Sequence, residues 1–561
     1  MNPIAEEILS YPLYKLARWA LAAGVFVGAK TAVGSGLCAG LCCGVKVLVF
    51  VLLGAYVYSK AGREALRRMR VAERQRRGPP RLENFTVDTV GDEVVRLRKT
   101  FESGKTRNPK WRKKQLLALH DMLVEHEKDI FAAMKADIGK NPCESALTEM
   151  MQTRGEIMHY ADHVCDLAKP KRVGTPLQLQ PARSFVMHEP RGVVCVIGTW
   201  NYPLSLSMIP LAGAIAGGNC TLLKFARFSG HLGPLMAGLL PKYLDMDALS
   251  IECGGGRDVI GAILEQELDF IFFTGSSSVG RVIAEKAAKT LTPVLLELGG
   301  KNPCIVDKTA NIKEAGKRIA WGKLVNCGQT CIAPDYVICV DGKDGKKGKL
   351  AELLAAEIKK NLKRYYGETP EAVRASESLG RLSNKGAAER LARHIDKYKA
   401  EAKIVHGGDY NVEERFVAPT IVLDPSVDDP IMNEEIFGPI LPIVSVETLE
   451  DALRLGNKHG CPLASYVYST NQSTINRVLT SIRSGGACVN QCLFHFVNDN
   501  LPFGGRGGSG IGHYHGKATF EAFTHQKGVL QTPSFVSDEL VFPPYTVLHK
   551  IIFRLVTTFL Q

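Results

Sequence analysis

Uninterrupted apolar runs alternate with segments of helical spacing along most of the chain. Residues 111–138 set Leu116, Leu119, Met122 and Leu123 on one stripe, which predicts a helix. Strands are predicted at 192–197, 220–224, 269–273 and 293–297, with helices at 207–216 and 279–289 among them. Strands that are apolar on both faces and separated by helices belong to a parallel sheet covered on both sides, so this half reads as a doubly wound nucleotide-binding domain. A second alternating stretch runs from 304 to about 490, with helices at 314–324 and 350–362 and strands at 336–340 and 440–446. The fold class is therefore α/β, with two such halves facing one another across a cleft in which ligands meet.

The two ends break the pattern. Residues 31–58 hold one charge, Lys46, and as a helix rising about 1.5 Å per residue they exceed the roughly 30 Å hydrocarbon thickness of a bilayer. An N-terminal membrane anchor helix over 1–58 is the expectation. Two other readings stay open. One is a hairpin of 13–29 against 31–58, which returns Met1 to the side of the enzyme; the other is a cleaved signal peptide, disfavoured by the late start of the apolar stretch and the arginines after it. Gly36, Gly40 and Gly44 recur at a spacing that lets membrane helices approach, or are simply small residues in an anchor. A basic linker, 59–86, follows, and by the positive-inside rule it puts the catalytic bulk in the cytosol. Which membrane carries the anchor is not written in the chain. The tail, 531–561, is too short to span; with Lys550 and Arg554 it reads as an amphipathic segment along an anionic surface, a shield over the substrate entrance, or plain packing onto the enzyme.

At 561 residues the chain outgrows a single hydrophobic core, so two or more domains are expected. The net charge of +13 ordinarily raises nucleic acid as a partner, yet more than half of it lies in the linker, where nine Lys or Arg between 59 and 81 face only Glu64 and Glu73. No nucleic acid is expected. Fifteen cysteines without a CxxC pair argue against a disulfide framework and a common zinc site, and no metal is expected. Cys38, Cys42 and Cys43 read as small apolar residues of the anchor, or as sites of lipidation.

Two segments carry chemistry. Cys331 lies in Asn326-Cys327-Gly328-Gln329-Thr330-Cys331-Ile332-Ala333-Pro334-Asp335, and Glu297 in Leu296-Glu297-Leu298-Gly299-Gly300-Lys301. A thiol and a carboxylate in small, Gly-rich sequence suit covalent catalysis in which one attacks and the other activates water. Each alone also has a plain reading, a buried inert cysteine and an ion-pair carboxylate. Together and in this order they resemble the active-site motifs of the aldehyde dehydrogenase superfamily, and Ala333-Pro334-Asp335-Tyr336 looks like its class 3 branch, which includes the fatty aldehyde dehydrogenases. The likeness covers 87 to about 525.

What the resemblance implies is specific. Cys331 would be the nucleophile, Glu297 the general base, and Asn201, with the backbone amide of Cys331, the oxyanion donor. The cofactor would be NAD or NADP, the substrate a small-molecule aldehyde, and the assembly a homodimer held by a small β arm. Residues 87–298 would bind cofactor, with an arm segment near 170–190; 299–490 would be the catalytic domain, and 491–530 the rest of the arm and the substrate-entrance loop. Asn201 otherwise reads as the cap of the helix that follows it.

The turn Thr274-Gly275-Ser276-Ser277-Ser278-Val279-Gly280 offers free amides and a positive dipole end to a pyrophosphate, though by itself it is equally an ordinary turn between strand and helix. The literal GxGxxG, Gly505 to Gly510, follows no predicted strand and reads as a loop near the substrate entrance. The resemblance sets Trp200 near the phosphates, Lys224 at the adenosine ribose, Glu435 on the nicotinamide ribose and Phe437 against the nicotinamide; singly these would read as a packed aromatic, an exposed ammonium and an acidic turn. One departure matters. Where the family has Pro-Ser-Glu after the lysine, this chain has Phe225-Ala226-Arg227. A cation in place of an acceptor favours a 2′-phosphate, so NADP is expected to be accepted unless Arg227 turns outward. The expected activity is oxidation of medium- to long-chain fatty aldehydes to acids through a thiohemiacetal and a thioester on Cys331. Its rivals are a membrane scaffold that keeps the fold with weak catalysis, and transfer of the acyl group to coenzyme A.

Overall fold

The computed structural model describes residues 84–342, 348–536 and 542–559. The expected anchor and all but the last three residues of the linker lie outside the described residues. Among the described residues no helix is long and apolar enough to cross a membrane.

Strands β1 (Lys171–Val173) and β2 (Arg183–Pro190) pair antiparallel. Five parallel strands follow: β3 (Val193–Ile197), β4 (Cys220–Lys224), β5 (Leu249–Glu252), β6 (Phe270–Thr274) and β7 (Val294–Glu297). Val194 and Val196 of β3 join one buried cluster while Val193, Cys195 and Ile197 join another. Successive side chains thus enter opposite cores, which is why these strands are apolar throughout.

The second sheet is built from β8 (Pro303–Asp307), β9 (Tyr336–Val340) and β10 (Ile404–His406), then, beyond a small hairpin of β11 (Tyr410–Asn411) and β12 (Phe416–Val417), from β13 (Thr420–Leu423), β14 (Ile440–Val446), β15 (Ala464–Tyr468) and β16 (Gly486–Val489). The chain then turns back. β17 (Gly510–Ile511) pairs antiparallel with β7, setting Gly510 opposite Glu297, and β18 (Thr524–Gln531) lies along β2. The sheet orders are β17-β7-β6-β3-β4-β5, β10-β13-β14-β9-β8-β15-β16 and β1-β2-β18.

Five helices bear on the site or on the sequence reading: α1 (Pro109–Glu125), α2 (Glu127–Ile138), α3 (Ser205–Gly217), α4 (Ser277–Lys289) and α5 (Ile312–Leu324). The single helix predicted over 111–138 is in fact α1 and α2. His126 leaves helical geometry (φ −111°, ψ 21°), and its Nε2 sits 3.1 Å from the Tyr243 hydroxyl, a partner far away in sequence. At the other end of the chain α6 (Val547–Phe559) exposes Leu548, Ile551, Phe553, Leu555 and Val556.

Candidate active site

In the first sheet the chain passes from β3 outward through β4 to β5, then resumes on the other side of β3 with β6 and β7. Such a reversal leaves a crevice beyond the carboxyl ends of β3 and β6, where doubly wound sheets take their ligands. Thr199-Trp200-Asn201 follows β3, Gly275-Ser276 follows β6, and Glu297 ends β7.

Ser276 caps α4 by accepting the Val279 N–H at 3.4 Å, and Ser276 and Ser278 hydroxyls lie 3.0 Å apart. The helix presents its remaining first-turn amides and the positive end of its dipole to the crevice. A side chain on Gly275 would collide with the Phe273 ring. Trp200 and Phe437 meet edge to face, with ring centroids 5.5 Å apart, and Phe437 holds φ 48°. Glu435 accepts the Gly300 amide at 3.3 Å, and only a residue without Cβ at 299 leaves room for its carboxylate. A bare amide cradle, two facing rings and a carboxylate at one cleft fit a dinucleotide.

Cys331 follows a tight coil. Asn326, Cys327 and Gly328 all have left-handed backbone (φ 55°, 55° and 75°), and a Cβ on Gly328 would strike the carbonyl of Gly438. The coil is held by Asn326 Nδ2 donating to Asn201 O at 2.6 Å, by Gln329 Nε2 donating to Arg381 O at 3.1 Å, and by a 2.6 Å contact between the Tyr202 and Thr330 hydroxyls. Asn302 fixes the next turn by donating to the carbonyls of Cys331 and Ala333 at 2.7 and 3.0 Å. The amides of Cys331 and Ile332 point at the sulfur. Burial raises the thiol's pKa, the Glu435 and Glu297 carboxylates raise it further, and those two amides oppose the shift.

Asn201 does not cap α3. That task falls to Glu149, whose carboxylate accepts the Leu204 and Ser205 amides at 2.8 and 3.2 Å. Asn201 Nδ2 instead donates to Gln329 O at 3.0 Å, two residues before the thiol, and its second N–H remains for a ligand. Glu297 is 3% exposed, neither of its oxygens has a hydrogen-bond partner among the described residues, and burial holds its pKa well above the usual carboxylate range. Glu435 is pushed up to about 8, by burial first and then by the charge of Asp335. The structure thus gathers Cys331, Glu297, Asn201, Glu435, Phe437, Trp200 and the turn from Gly275 to Gly280 around one cleft. Lys224 stands apart at the end of β4, and Arg227 is exposed.

Sequence reasoning gave Asp335 no role, although it lies in the quoted Ala-Pro-Asp segment. Buried, it accepts Lys301 Nζ at 2.6 Å, has Lys323 Nζ at 3.5 Å, and takes the Ile436 amide at 3.2 Å. It therefore ties the thiol's segment to the one bearing Glu435 and Phe437. Burial lowers the Lys323 pKa to about 8. Asp335→Asn leaves two buried ammoniums facing a neutral group, and a loss of about 3–5 kcal/mol of stability is expected, read from the urea midpoint. Tyr514 was also missed: its hydroxyl is buried without a hydrogen bond, and the charges of Glu297 and Cys331 add to burial in raising its pKa.

Sequence comparison decides the family. The model of the "Aldehyde dehydrogenase family" matches residues 81–529. The chain belongs to the aldehyde dehydrogenase family. It is 44% identical over 452 residues to "Aldehyde dehydrogenase family 3 comG" of Dictyostelium discoideum, covering 80% of this chain and 93% of that protein. It is 40% identical over 444 residues to "Aldehyde dehydrogenase, dimeric NADP-preferring" of Rattus norvegicus, covering 79% and 95%. Among solved structures, "Substrate bound state of Staphylococcus Aureus AldH" superposes with a TM-score of 0.79 at 34% identity, over 84% of this chain and 99% of that one. This aldehyde dehydrogenase has the family's nucleotide-binding and catalytic domains, resembles family 3 members, and is an NAD(P)-dependent enzyme that oxidises aldehydes.

Proposed function

We propose that the protein oxidises medium- to long-chain fatty aldehydes to carboxylic acids at a membrane surface, through covalent catalysis on Cys331. The observation that carries the catalytic part is the meeting of Cys331, Asn201 and the unpartnered Glu297 at one cleft beside the amide cradle of α4. The Cys331 sulfur adds to the aldehyde carbon as its proton passes to solvent, and the carbonyl electrons move onto oxygen to give the anion of a thiohemiacetal. The second N–H of Asn201 and the amide of Cys331 receive the oxyanion. When bound, NAD(P) supplies the hydride acceptor and a positively charged ring beside the thiol. Glu297 then takes a proton from the water that hydrolyses the thioester, its raised pKa suiting it to hold that proton near neutral pH.

Trp200 and the turn from Gly275 through Ser276, Ser277, Ser278, Val279 and Gly280 would hold the pyrophosphate, Lys224 the adenosine ribose, Glu435 the nicotinamide ribose and Phe437 the nicotinamide. Lipid substrates are proposed because the apolar stretch at 31–58 and the basic linker suit an enzyme held at a bilayer and facing the cytosol. The exposed apolar residues of α6, flanked by Lys550, suit the same surface. A homodimer through the sheet of β1, β2 and β18 accords with these readings, since β18 is a long exposed edge.

The test is nucleotide reduction by the full chain with aldehydes from acetaldehyde to hexadecanal, with and without anionic vesicles. kcat/KM is expected to rise by at least about tenfold from the shortest to the longest aldehyde, as buried methylenes add affinity. A flat or falling profile would sink the fatty aldehyde reading, and acid formed only when coenzyme A is added would replace hydrolysis by acyl transfer.

A further inference from the structure

The carboxyl ends of β4 and β5 carry a buried charge pair in which one carboxylate oxygen accepts no hydrogen bond from the described residues. Lys224 and Glu252 are the last residues of these strands and stand opposite one another in the parallel register. Lys224 Nζ donates to the carbonyls of Phe225 at 3.1 Å and Gly255 at 2.7 Å, and lies 3.2 Å from Glu252 Oε2. An ammonium has three N–H groups, and the two carbonyls take two of them. Glu252 is 4% exposed. Its Oε1 accepts the Gly255 amide at 2.5 Å, whereas Oε2 has the ion pair but accepts no hydrogen bond. The cradle therefore has one acceptor and one ammonium N–H unfilled side by side, and a hydroxyl, which donates to the first and accepts from the second, completes it.

The place matters as much as the valence. β4 is two positions from β6 in the sheet. At an interstrand spacing of about 4.8 Å, this edge lies roughly 10 Å from the amide cradle of α4, within the span of a dinucleotide. The chain leaves β5 through Gly254-Gly255-Gly256, a surface without side chains on which a sugar and base can rest.

We infer that Glu252 selects the unphosphorylated adenosine ribose: its free oxygen accepts the 2′- and 3′-hydroxyls, and its charge opposes a 2′-phosphate. The inference rests on the dehydrogenase reading and deepens it, turning the expectation drawn from Arg227 towards NAD. Arg227 is exposed and forms no ion pair among the described residues, so water screens its attraction for a phosphate. The Glu252 carboxylate meets the sugar away from water, where the same charge acts more strongly.

Binding of NADH and NADPH to the full chain, without aldehyde, is followed by energy transfer from tryptophan to the reduced nicotinamide. The parent is expected to bind NADH at least tenfold more tightly than NADPH. Glu252→Gln, which keeps the acceptor for the Gly255 amide, is expected to narrow that ratio at least tenfold, chiefly by tighter NADPH binding. ADP-ribose should compete several-fold better than its 2′-deoxy analogue against the parent, and no more than twofold better against Glu252→Gln. A parent that prefers NADPH, a ratio that Glu252→Gln leaves unchanged, or equal weakening of both nucleotides overturns the inference. Should the variant not fold, the parent decides alone, since equal competition by ADP-ribose and the deoxy analogue is equally fatal. Failure of the parent to bind either nucleotide is a different result, and it overturns the dehydrogenase reading itself.

Discussion

Cys331→Ala is expected to lower turnover of hexanal by about 10⁴-fold or more, the scale seen when a covalent nucleophile is deleted. Nucleotide affinity should change by less than about threefold, because the turn at Gly275 and the rings of Trp200 and Phe437 do not pass through the sulfur. The size follows from the role proposed for the sulfur. Without a bond to the carbonyl carbon no oxyanion forms, and a hydride cannot leave a neutral aldehyde carbon. The Asn201 amide and the Cys331 N–H then face an ordinary carbonyl and stabilise nothing that differs between ground and transition state. Cys331→Ser separates this from a packing effect: it restores the volume but supplies a far less ionisable nucleophile, and activity should remain down by about 10³-fold or more. Stopped-flow absorbance of the reduced nucleotide checks both variants, and an alanine enzyme within tenfold of the parent returns the protein to the scaffold reading.

Much of this arrangement was legible in the sequence because it is local or repeats a physical period. Continuous apolar runs marked β3, β4 and β6 to within about a residue, and the breaks between them marked α3 and α4. The small, Gly-rich sequence around the thiol and carboxylate reads as suiting covalent catalysis, and the structure adds what its glycines do: Gly328 lies against Gly438, and Gly299 leaves room for Glu435. The GxGxxG at Gly505 lies in a loop that returns β17 to the edge of β7, as its lack of a preceding strand foretold.

What escaped depends on pairings across long separations. Nothing near Asp335 in the chain announces that it joins Lys301, Lys323 and the Ile436 amide, or that Glu149 takes the capping role open to Asn201. The helix over 111–138 kept its periodicity through His126, and only the distant Tyr243 marks the break. Glu252 carries no local signal either, since a carboxylate at the end of an apolar strand acquires meaning only when the register sets it opposite Lys224.

Glu297→Gln is expected to give one rapid equivalent of reduced nucleotide per active subunit and then stall, with steady turnover down by about 10²–10⁴-fold, the usual contribution of a general base. Cys331 and Asn201 are intact in this variant, so thiohemiacetal formation and hydride loss proceed, and the thioester waits for a water that nothing deprotonates. pH gives an independent reading. To act as the proposed base the parent carboxyl, its pKa raised by burial, must be ionised, so deacylation should climb as pH rises through that raised range, and the glutamine enzyme should lack the limb. Stability moves the other way. Because the folded-state pKa lies above the ordinary carboxylate value of 4.5, the native protein holds a proton that the unfolded chain releases, and stability falls as pH climbs from that value towards the raised one. Glutamine removes this dependence. The variant should therefore match the parent in acid and have the higher urea midpoint at neutral and alkaline pH, a gain in stability bought with function. A glutamine enzyme that turns over without a burst, or that loses stability across the whole range, would place the hydrolytic base elsewhere, and Glu435, with its pKa near 8 and its own approach to the sulfur, is the group that would then have to supply it.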